Sequence, residues 1–370
     1  MLKNKKILVT GGAGFIGSHL VDRLIQEGHK VTILDNLSST NMEIPEYINN
    51  KAEFILGDIR DDNLLKRIIL DKNIIFHNAS VVGIVHSNYE ISHFTDINCN
   101  GTAKIFNAII DAKTRPKFIL SASNTTYGEG VYSCDNCGDF HPKIRSTEEV
   151  KKYSFEPVCP TCKKAGNAVP TPESTALNCN SVYALTKKFQ EELAFNVGAL
   201  NDFPVIALKY FNVFGPRQSL SNPYTGVSAI FMSRIKNGNI PFLYEDGLQT
   251  RDFISVHDVV EANILAMNSE KADNQVFNVG SGKPLAIKSL AEKISCLYEK
   301  STPPNITNDF RKGDIRHCIA DTSKIEKVLG WKPKISIEEG LKEIINWANS
   351  QKSKDDFDKA HEELRKRGLI

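Results

Sequence analysis

The chain has 370 residues, of which 41% are hydrophobic and 24% charged, and its formal net charge is +2. That length can bury a large core in one or two domains, and the near-neutral balance excludes a general pull toward nucleic acid or a charged membrane surface. No apolar run approaches the length of a membrane span, and Met1-Leu2-Lys3-Asn4-Lys5-Lys6 leads into a strand instead of a signal-peptide core, so a cytoplasmic protein is expected.

The first element is the apolar run Lys6-Ile7-Leu8-Val9-Thr10, which ends in glycines; helical periodicity follows over 15–27, and Gly28 closes it. Stretches 30–34, 53–57, 74–76 and 117–121 read as further buried strands, with helical segments between them, the last over about 89–112. This alternation predicts an α/β fold, a parallel sheet with helices on both faces. It breaks after Gly128, where 129–180 is rich in Pro, Cys, Asn and Lys with little periodicity. A segment that long within a compact domain needs its own stabiliser. Pattern returns with a helix over 182–199 and a strand over 204–210. Helices near 226–236, 256–267, 287–299 and 336–349, with short strands between, predict a smaller C-terminal lobe, and the charged stretch 353–367 a solvated helix or frayed tail. The expected division is 1–128 with 181–215, an insertion at 129–180, a lobe at 216–350 and a tail at 351–370.

Gly11-Gly12-Ala13-Gly14-Phe15-Ile16-Gly17 follows a strand and opens a helix. Side chains there would hold backbone amides away from a pyrophosphate, while the helix N-terminus supplies partial positive charge. Asp35 ends the second strand 18 residues beyond Gly17, placed to accept from a ribose 2′-hydroxyl and to repel a 2′-phosphate, which favours NAD over NADP. Asp58, after the third strand, is placed to reach the adenine. Further along, Tyr183 and Lys187 stand four apart on a helix and share a face, so an ammonium beside a phenol favours its ionised form and makes a proton shuttle.

Cys134-x-x-Cys137 and Cys159-x-x-Cys162 are separated by 21 residues, the spacing of two knuckles that converge on a tetrahedral zinc. Four cysteines leave no open coordination position, so the metal would be structural, and in so polar a segment it would supply much of the folding free energy. Labile disulfides or free thiols are the alternative. Cys99, Cys179, Cys296 and Cys318 are read as small buried hydrophobes. Asp135, Asp139, Glu148 and Glu149 dilute the nearby lysines and argue against a nucleic-acid-binding ribbon.

Taken in order, Thr10-Gly11-Gly12-Ala13-Gly14-Phe15-Ile16-Gly17, Asn98-x-x-Gly101-Thr102, Tyr127-Gly128, Tyr183-x-x-x-Lys187, Tyr210-Phe211-Asn212-Val213-Phe214-Gly215-Pro216-Arg217 and Arg251-Asp252-Phe253 resemble the extended short-chain dehydrogenase/reductases, specifically the nucleotide-sugar epimerases and dehydratases. The resemblance runs over about 5–347 and implies a Rossmann-like doubly wound sheet, a C-terminal substrate lobe and a homodimer formed through the 89–112 and 182–199 helices. It implies Tyr183 as general base, Lys187 as the lysine that lowers its pKa and holds the nicotinamide ribose, and Ser123 as the hydroxyl that meets the reacting sugar. Cofactor contacts are implied for Gly11, Gly14, Phe15, Ile16, Gly17, Asp35, Asn36, Asp58, Ile59, Ala79, Asn98 and Phe211, and contacts to a nucleotide-diphosphate sugar for Asn212, Arg217, Arg251 and Arg311. Tyr244 either stacks on the base or belongs to the core, and Arg316 is a further basic candidate or a surface ion-pair partner.

After the Ser/Thr, dehydratases of this family carry Asp-Glu; here the positions are Asn124 and Thr125, which cannot act as carboxylic acid or base. A 4-epimerisation is therefore expected. The insertion, with Tyr127-Gly128-Glu129-Gly130-Val131-Tyr132, Leu220-Ser221-Asn222-Pro223-Tyr224-Thr225-Gly226-Val227 and Gly313-Asp314-Ile315-Arg316-His317-Cys318, resembles the branch that interconverts dTDP-L-rhamnose and dTDP-6-deoxy-L-talose. Asn78 departs from the apolar residue common after the family's histidine, here His77. UDP-hexose epimerisation, reaction at another carbon and a non-catalytic NAD-binding scaffold are the competing readings.

Overall fold

The computed structural model describes residues 4–40, 42–222, 226–300, 303–351 and 353–368. The opening Met1-Leu2-Lys3 and the Pro223-Tyr224-Thr225 portion of the branch motif lie outside the described residues.

The first part of the chain contributes β1 (Lys6–Thr10), α1 (Phe15–Gln26), β2 (Lys30–Asp35), β3 (Glu53–Leu56), α2 (Asp62–Ile69), β4 (Ile74–His77), the single turns α3 (Ile84–Ser87) and α4 (Ile91–Phe94), α5 (Gly101–Asp111) and β5 (Lys117–Ser123). The insertion adds β6 (Val131–Cys134), β7 (Gly138–Phe140), α6 (Thr147–Tyr153) and β8 (Asn167–Thr171), and the chain returns through α7 (Val182–Leu200) and β9 (Val205–Tyr210). Then come β10 (Asn212–Phe214), α8 (Val227–Lys236), β11 (Phe242–Leu243), β12 (Thr250–Ser255), α9 (Val256–Asn268), β13 (Gln275–Val279), β14 (Pro284–Ala286), α10 (Ile287–Leu297), β15 (Asn305–Ile306), β16 (Ile319–Ala320), α11 (Ser323–Leu329), α12 (Ile337–Ser350) and α13 (Phe357–Lys366).

Seven strands form a parallel sheet in the order β13-β9-β5-β4-β1-β2-β3. The central ones are buried on both faces, which is why Ile7-Leu8-Val9, Ile74-Ile75-Phe76 and Val205-Ile206-Ala207-Leu208 read as continuous apolar runs. Val9, Ile33 and Phe76 join residues of α1 and α9 in the core on one side; Leu8, Ile75 and Phe118 join α2 and α5 on the other. Chain direction along the sheet reverses between β1 and β4, so a crevice opens at their C-terminal ends, where ligands of such folds sit. A second core, including Phe231, Leu290 and Leu341, unites α8, α10 and α12 into the smaller lobe.

Four features refine the sequence expectations. The 89–112 helix is continuous from Ile91 to Asp111, but α4 and α5 are joined by a π-helical segment at Thr95–Asn100, whose wider turn lets buried Asn98 reach its partners. The 216–350 segment is not confined to the second lobe, because β13 returns to pair with β9 in the main sheet; an apolar run signals a buried strand but not which sheet receives it. The insertion is ordered, and its strands extend a four-stranded sheet, β16-β8-β6-β7, begun by the second lobe. The tail is not frayed: α13 buries Ala360 and Leu364, and Asp358 pairs with Arg234 at 2.9 Å. Among the described residues, no helix is long and apolar enough to cross a membrane.

Candidate active site

The glycine loop occupies the crevice between β1 and β4. Gly11 has φ +69°, and a Cβ there would lie 2.7 Å from Ala79 N, so only glycine makes the turn beside β4. A Cβ on Gly17 would stand 2.1 Å from the Gly11 carbonyl oxygen, so that glycine lets α1 press against the loop. Gly14 is different: its nearest obstruction is 3.3 Å away, which leaves its backbone approachable. The N-terminus of α1, where Phe15 and Ile16 begin the helix, has no side-chain cap and no acid in its first turn, so its amides and its dipole suit a pyrophosphate. Asp35 accepts from Ala13 N at 2.9 Å and Leu37 N at 2.8 Å. A carboxylate has about four acceptor positions, which leaves capacity for ribose hydroxyls. Burial raises the Asp35 pKa, and the two backbone donors oppose that rise. Asn36 donates to Asp58 at 2.9 Å, and Arg60 grips Asp58 through both carboxylate oxygens, holding its pKa down to about 2. Ile59 is buried beside them. The residues present fit NAD.

Ser123, at the end of β5, lies opposite Tyr210 of β9 in the register. Its hydroxyl bonds Thr125 Oγ1 at 2.9 Å and favours the ionised form of half-buried Tyr183. Helix α7 is fixed at its start by three side chains: Ser181 caps Ala184 N, Asn88 accepts from Val182 N, and Ser87 accepts from Tyr183 N at 2.9 Å. One turn later Lys187, 4% exposed, donates to the Ser121 carbonyl at 3.0 Å. Burial pushes Tyr183 up to about 12, against the Ser123 hydrogen bond, and pushes Lys187 down to about 7. Desolvation of both groups thus outweighs the lysine–phenol attraction anticipated from their spacing.

Asn98 does not bond Lys187 itself. Its amide donates to Thr186 Oγ1 at 3.0 Å, and its oxygen accepts from Val81 N at 2.9 Å, which pins α7 to the segment after Ala79. Asn78 accepts from the Ser121 hydroxyl, so the departure from an apolar residue sits one peptide from the carbonyl that holds Lys187. Neither Asn124 nor Thr125 brings a carboxylate to Ser123. Sequence reading missed Lys209 and Glu191, a buried pair at 2.7 Å; the lysine also donates to Thr126 Oγ1 and so braces the turn after Ser123. Lys209 was signalled as the one charge in the otherwise apolar β9; Glu191, one of four charged residues in α7, carried no signal of its own.

The second lobe meets this edge through β10, where Asn212 pairs in register with Phe253, two residues beyond Arg251. Phe211 is buried just before it. Arg251 and Arg311 both bind Asp314, at 3.1 and 2.8 Å. Asn212 Oδ1 and Arg311 Nε are buried without a protein partner, a free acceptor and a free donor. Tyr244 is buried, its hydroxyl 2.8 Å from His361 Nδ1 and its ring under Arg311 at 4.9 Å, the environment of a packed residue. Arg217 takes other partners, Asp22 at 2.8 Å and the Tyr47 ring at 4.8 Å. Arg316 is not at the surface: it is 1% exposed and held by Glu156, Glu245 and Asp246.

In the insertion the sulfurs of Cys134, Cys137, Cys159 and Cys162 all lie within 4.8 Å of one another, with Cys134 and Cys162 at 3.5 Å. Four thiolates around zinc at about 2.3 Å stand roughly 3.8 Å apart, so the donor set and its spacing fit that ion. All eight cysteines are free, which is not the disulfide alternative.

The sequence matches the profile of the NAD dependent epimerase/dehydratase family over residues 7–280. It is 33% identical to dTDP-L-rhamnose 4-epimerase of Burkholderia thailandensis, an alignment covering 94% of this chain and 96% of that protein. Among solved structures it is similar to UDP-glucose 4-epimerase of Thermotoga maritima with UDP-glucose, with TM-score 0.78, 32% identity and coverage of 93% and 98%. It is also similar to Thermus thermophilus UDP-glucose 4-epimerase in complex with NAD, with TM-score 0.74, 25% identity and coverage of 94% and 100%. The chain, with its glycine loop, Ser123–Tyr183–Lys187 group and two-lobed fold, belongs to the NAD dependent epimerase/dehydratase family.

Proposed function

We propose that this NAD-dependent nucleotide-sugar 4-epimerase interconverts dTDP-L-rhamnose and dTDP-6-deoxy-L-talose. The observation that carries a 4-epimerase is the Ser123, Tyr183 and Lys187 group with Asn124 and Thr125, not carboxylic acids, beside it. Removal of water from a sugar needs an acid and a base in addition to Tyr183; reversible oxidation at one carbon needs only a group that moves one hydroxyl proton. Bound in the β1/β4 crevice, NAD supplies reversible two-electron chemistry at that carbon. Ser123 orients the C4 hydroxyl, and Tyr183 in its phenolate form takes its proton and later returns it, which requires the phenol to be ionised against the burial that holds it up at about 12. Lys187 keeps two N–H donors beyond the one given to Ser121, available to a ribose hydroxyl. Arg251, Arg311 and Asn212 grip the diphosphate, so the sugar can turn over between the two half-reactions while the nucleotide stays held.

In this reading Cys134, Cys137, Cys159 and Cys162 hold a structural zinc. Ile91, Leu185 and Phe189, exposed on α4 and α7, support a homodimer through these helices. The dTDP-sugar assignment rests on similarity to the Burkholderia enzyme; the nearly equal identity to the Thermotoga enzyme favours UDP-glucose as the second reading. Incubation with dTDP-L-rhamnose, dTDP-6-deoxy-L-talose and UDP-glucose, with epimers followed by NMR, decides between them. Turnover of the dTDP pair with the higher kcat/KM is expected. Preference for UDP-glucose selects the second reading, and turnover of none of the three refutes both.

A further inference from the structure

Between the cysteine insertion and the second lobe lies a buried ionic network that the catalytic reading leaves unused. Glu129, 1% exposed and five residues before Cys134, accepts from Arg316 N at 2.9 and 2.8 Å, from His317 N at 3.3 Å, from Arg145 Nε at 3.0 Å and from the Tyr132 hydroxyl at 3.1 Å. Arg145, which lies between the two cysteine pairs, also pairs with Glu245 at 2.9 Å and donates to the Asp314 carbonyl at 3.1 Å. Glu156, three residues before Cys159, holds Arg316 and sits 3.1 Å from His317 Nε2. Asp314 is the carboxylate on which Arg251 and Arg311 lean; burial alone would raise its pKa, but Arg311, Arg251 and Arg145 around it bring it below the usual range. Strand β8 pairs with β16 and so joins the insertion to the segment that follows this network.

We propose that the cysteine insertion is a positioning element for the diphosphate arginines, and that metal binding to its four thiols is thermodynamically linked to nucleotide binding through Arg145 and Glu129. The linkage rests on the reading of Arg251 and Arg311 as diphosphate ligands and of the thiols as a zinc site. With the metal bound, β6 and β7 around the first cysteine pair and the Val158–Ala165 bridge around the second are fixed, and Glu129, Arg145 and Glu156 meet their partners. Without it, a polar segment that has little core of its own must be ordered at the expense of nucleotide binding. Arg145 then no longer anchors the Asp314 backbone, and the carboxylate that aims both arginines loses its fixed place. Coupling of this kind is reciprocal: whatever factor zinc adds to nucleotide affinity, the nucleotide adds to zinc affinity. Removal of one partner from a buried charge network leaves the others uncompensated, so the link should be steep.

The test uses the full protein with dTDP and UDP as probes. Isothermal titration should find that removal of zinc by a chelator, or Arg145→Met, weakens nucleoside-diphosphate binding at least about tenfold, while NAD binding, built on β1, α1 and Asp35, keeps its affinity. Arg145→Lys, which keeps the charge but not the fork, should fall between. Independently of any variant, saturating nucleotide should slow zinc loss from the wild-type protein to a colorimetric chelator by a similar factor, and Arg145→Met should abolish that protection. Zinc loss at the same rate with and without bound nucleotide refutes the proposal, as does full nucleotide affinity in zinc-free protein. Wild-type protein that binds neither dTDP nor UDP refutes instead the reading of the substrate site, and the linkage with it.

Discussion

Tyr183→Phe isolates the proton-transfer step. The hydroxyl it deletes gives up at most one hydrogen bond, while the ring, which keeps its edge-on contact with Phe94 at 6.4 Å between centroids, is unchanged. Loss of one such hydrogen bond costs about 1 kcal/mol of stability, so the variant should fold and retain NAD. The catalytic cost is far larger. General acid–base assistance contributes about 10²- to 10⁴-fold, or roughly 3 to 5 kcal/mol of barrier, and a phenyl ring offers no substitute. The assay is kcat at saturating substrate by NMR, with cofactor content measured by acid release in the same preparation. Ser123→Ala should be less severe, and the double variant should lose less than the two single losses combined, because the hydroxyls act as one unit. A Tyr183→Phe enzyme with normal cofactor content and kcat within about threefold of wild type would contradict a contribution of that size and remove Tyr183 from the mechanism.

Gly17→Ala should abolish NAD retention, since its Cβ would meet the Gly11 carbonyl oxygen at 2.1 Å and that atom is backbone; the purified variant should release no cofactor on acid treatment, and normal release would refute the packing argument. Phe189→Asp places a charge on the exposed apolar face of α7, where Phe189 is 43% exposed, and light scattering should record a halved particle mass; an unchanged oligomer would place the interface elsewhere. His77, bonded to Thr10 Oγ1 at 2.8 Å and Thr102 Oγ1 at 2.9 Å, is held by burial and by nearby Lys187 at about 3 against an ordinary 6.5. The folded site refuses a proton that the unfolded chain accepts, so this group costs nothing above pH 6.5 and destabilises progressively as pH falls toward 3, by about 2 kcal/mol at pH 5. His77→Gln should flatten that part of the urea-midpoint profile between pH 7.5 and 5, and an unchanged slope would show that other groups dominate.

The parts of the site that were legible in the sequence are those whose geometry is local. Gly11, Gly14 and Gly17 encode a turn and a helix start within seven residues, Tyr183 and Lys187 share a helix face by spacing alone, and each cysteine pair forms its own knuckle. What was not legible depends on partners distant in the chain. Arg316 reads as a surface charge until Glu156, Glu245 and Asp246, 160, 71 and 70 residues away, are seen around it. Glu129 and Arg316 are 187 residues apart, and no periodicity connects them. Asn98 looked like a cofactor contact because the family motif names the residue but not the π-helical segment that aims it at Thr186. Glu129 and Glu156 are not a solvated acidic face; they neutralise Arg145 and Arg316 at the seam between insertion and lobe. A charge in a sequence carries no statement of its solvation, and folding turns these from surface residues into the contacts that seat Asp314 behind Arg251 and Arg311.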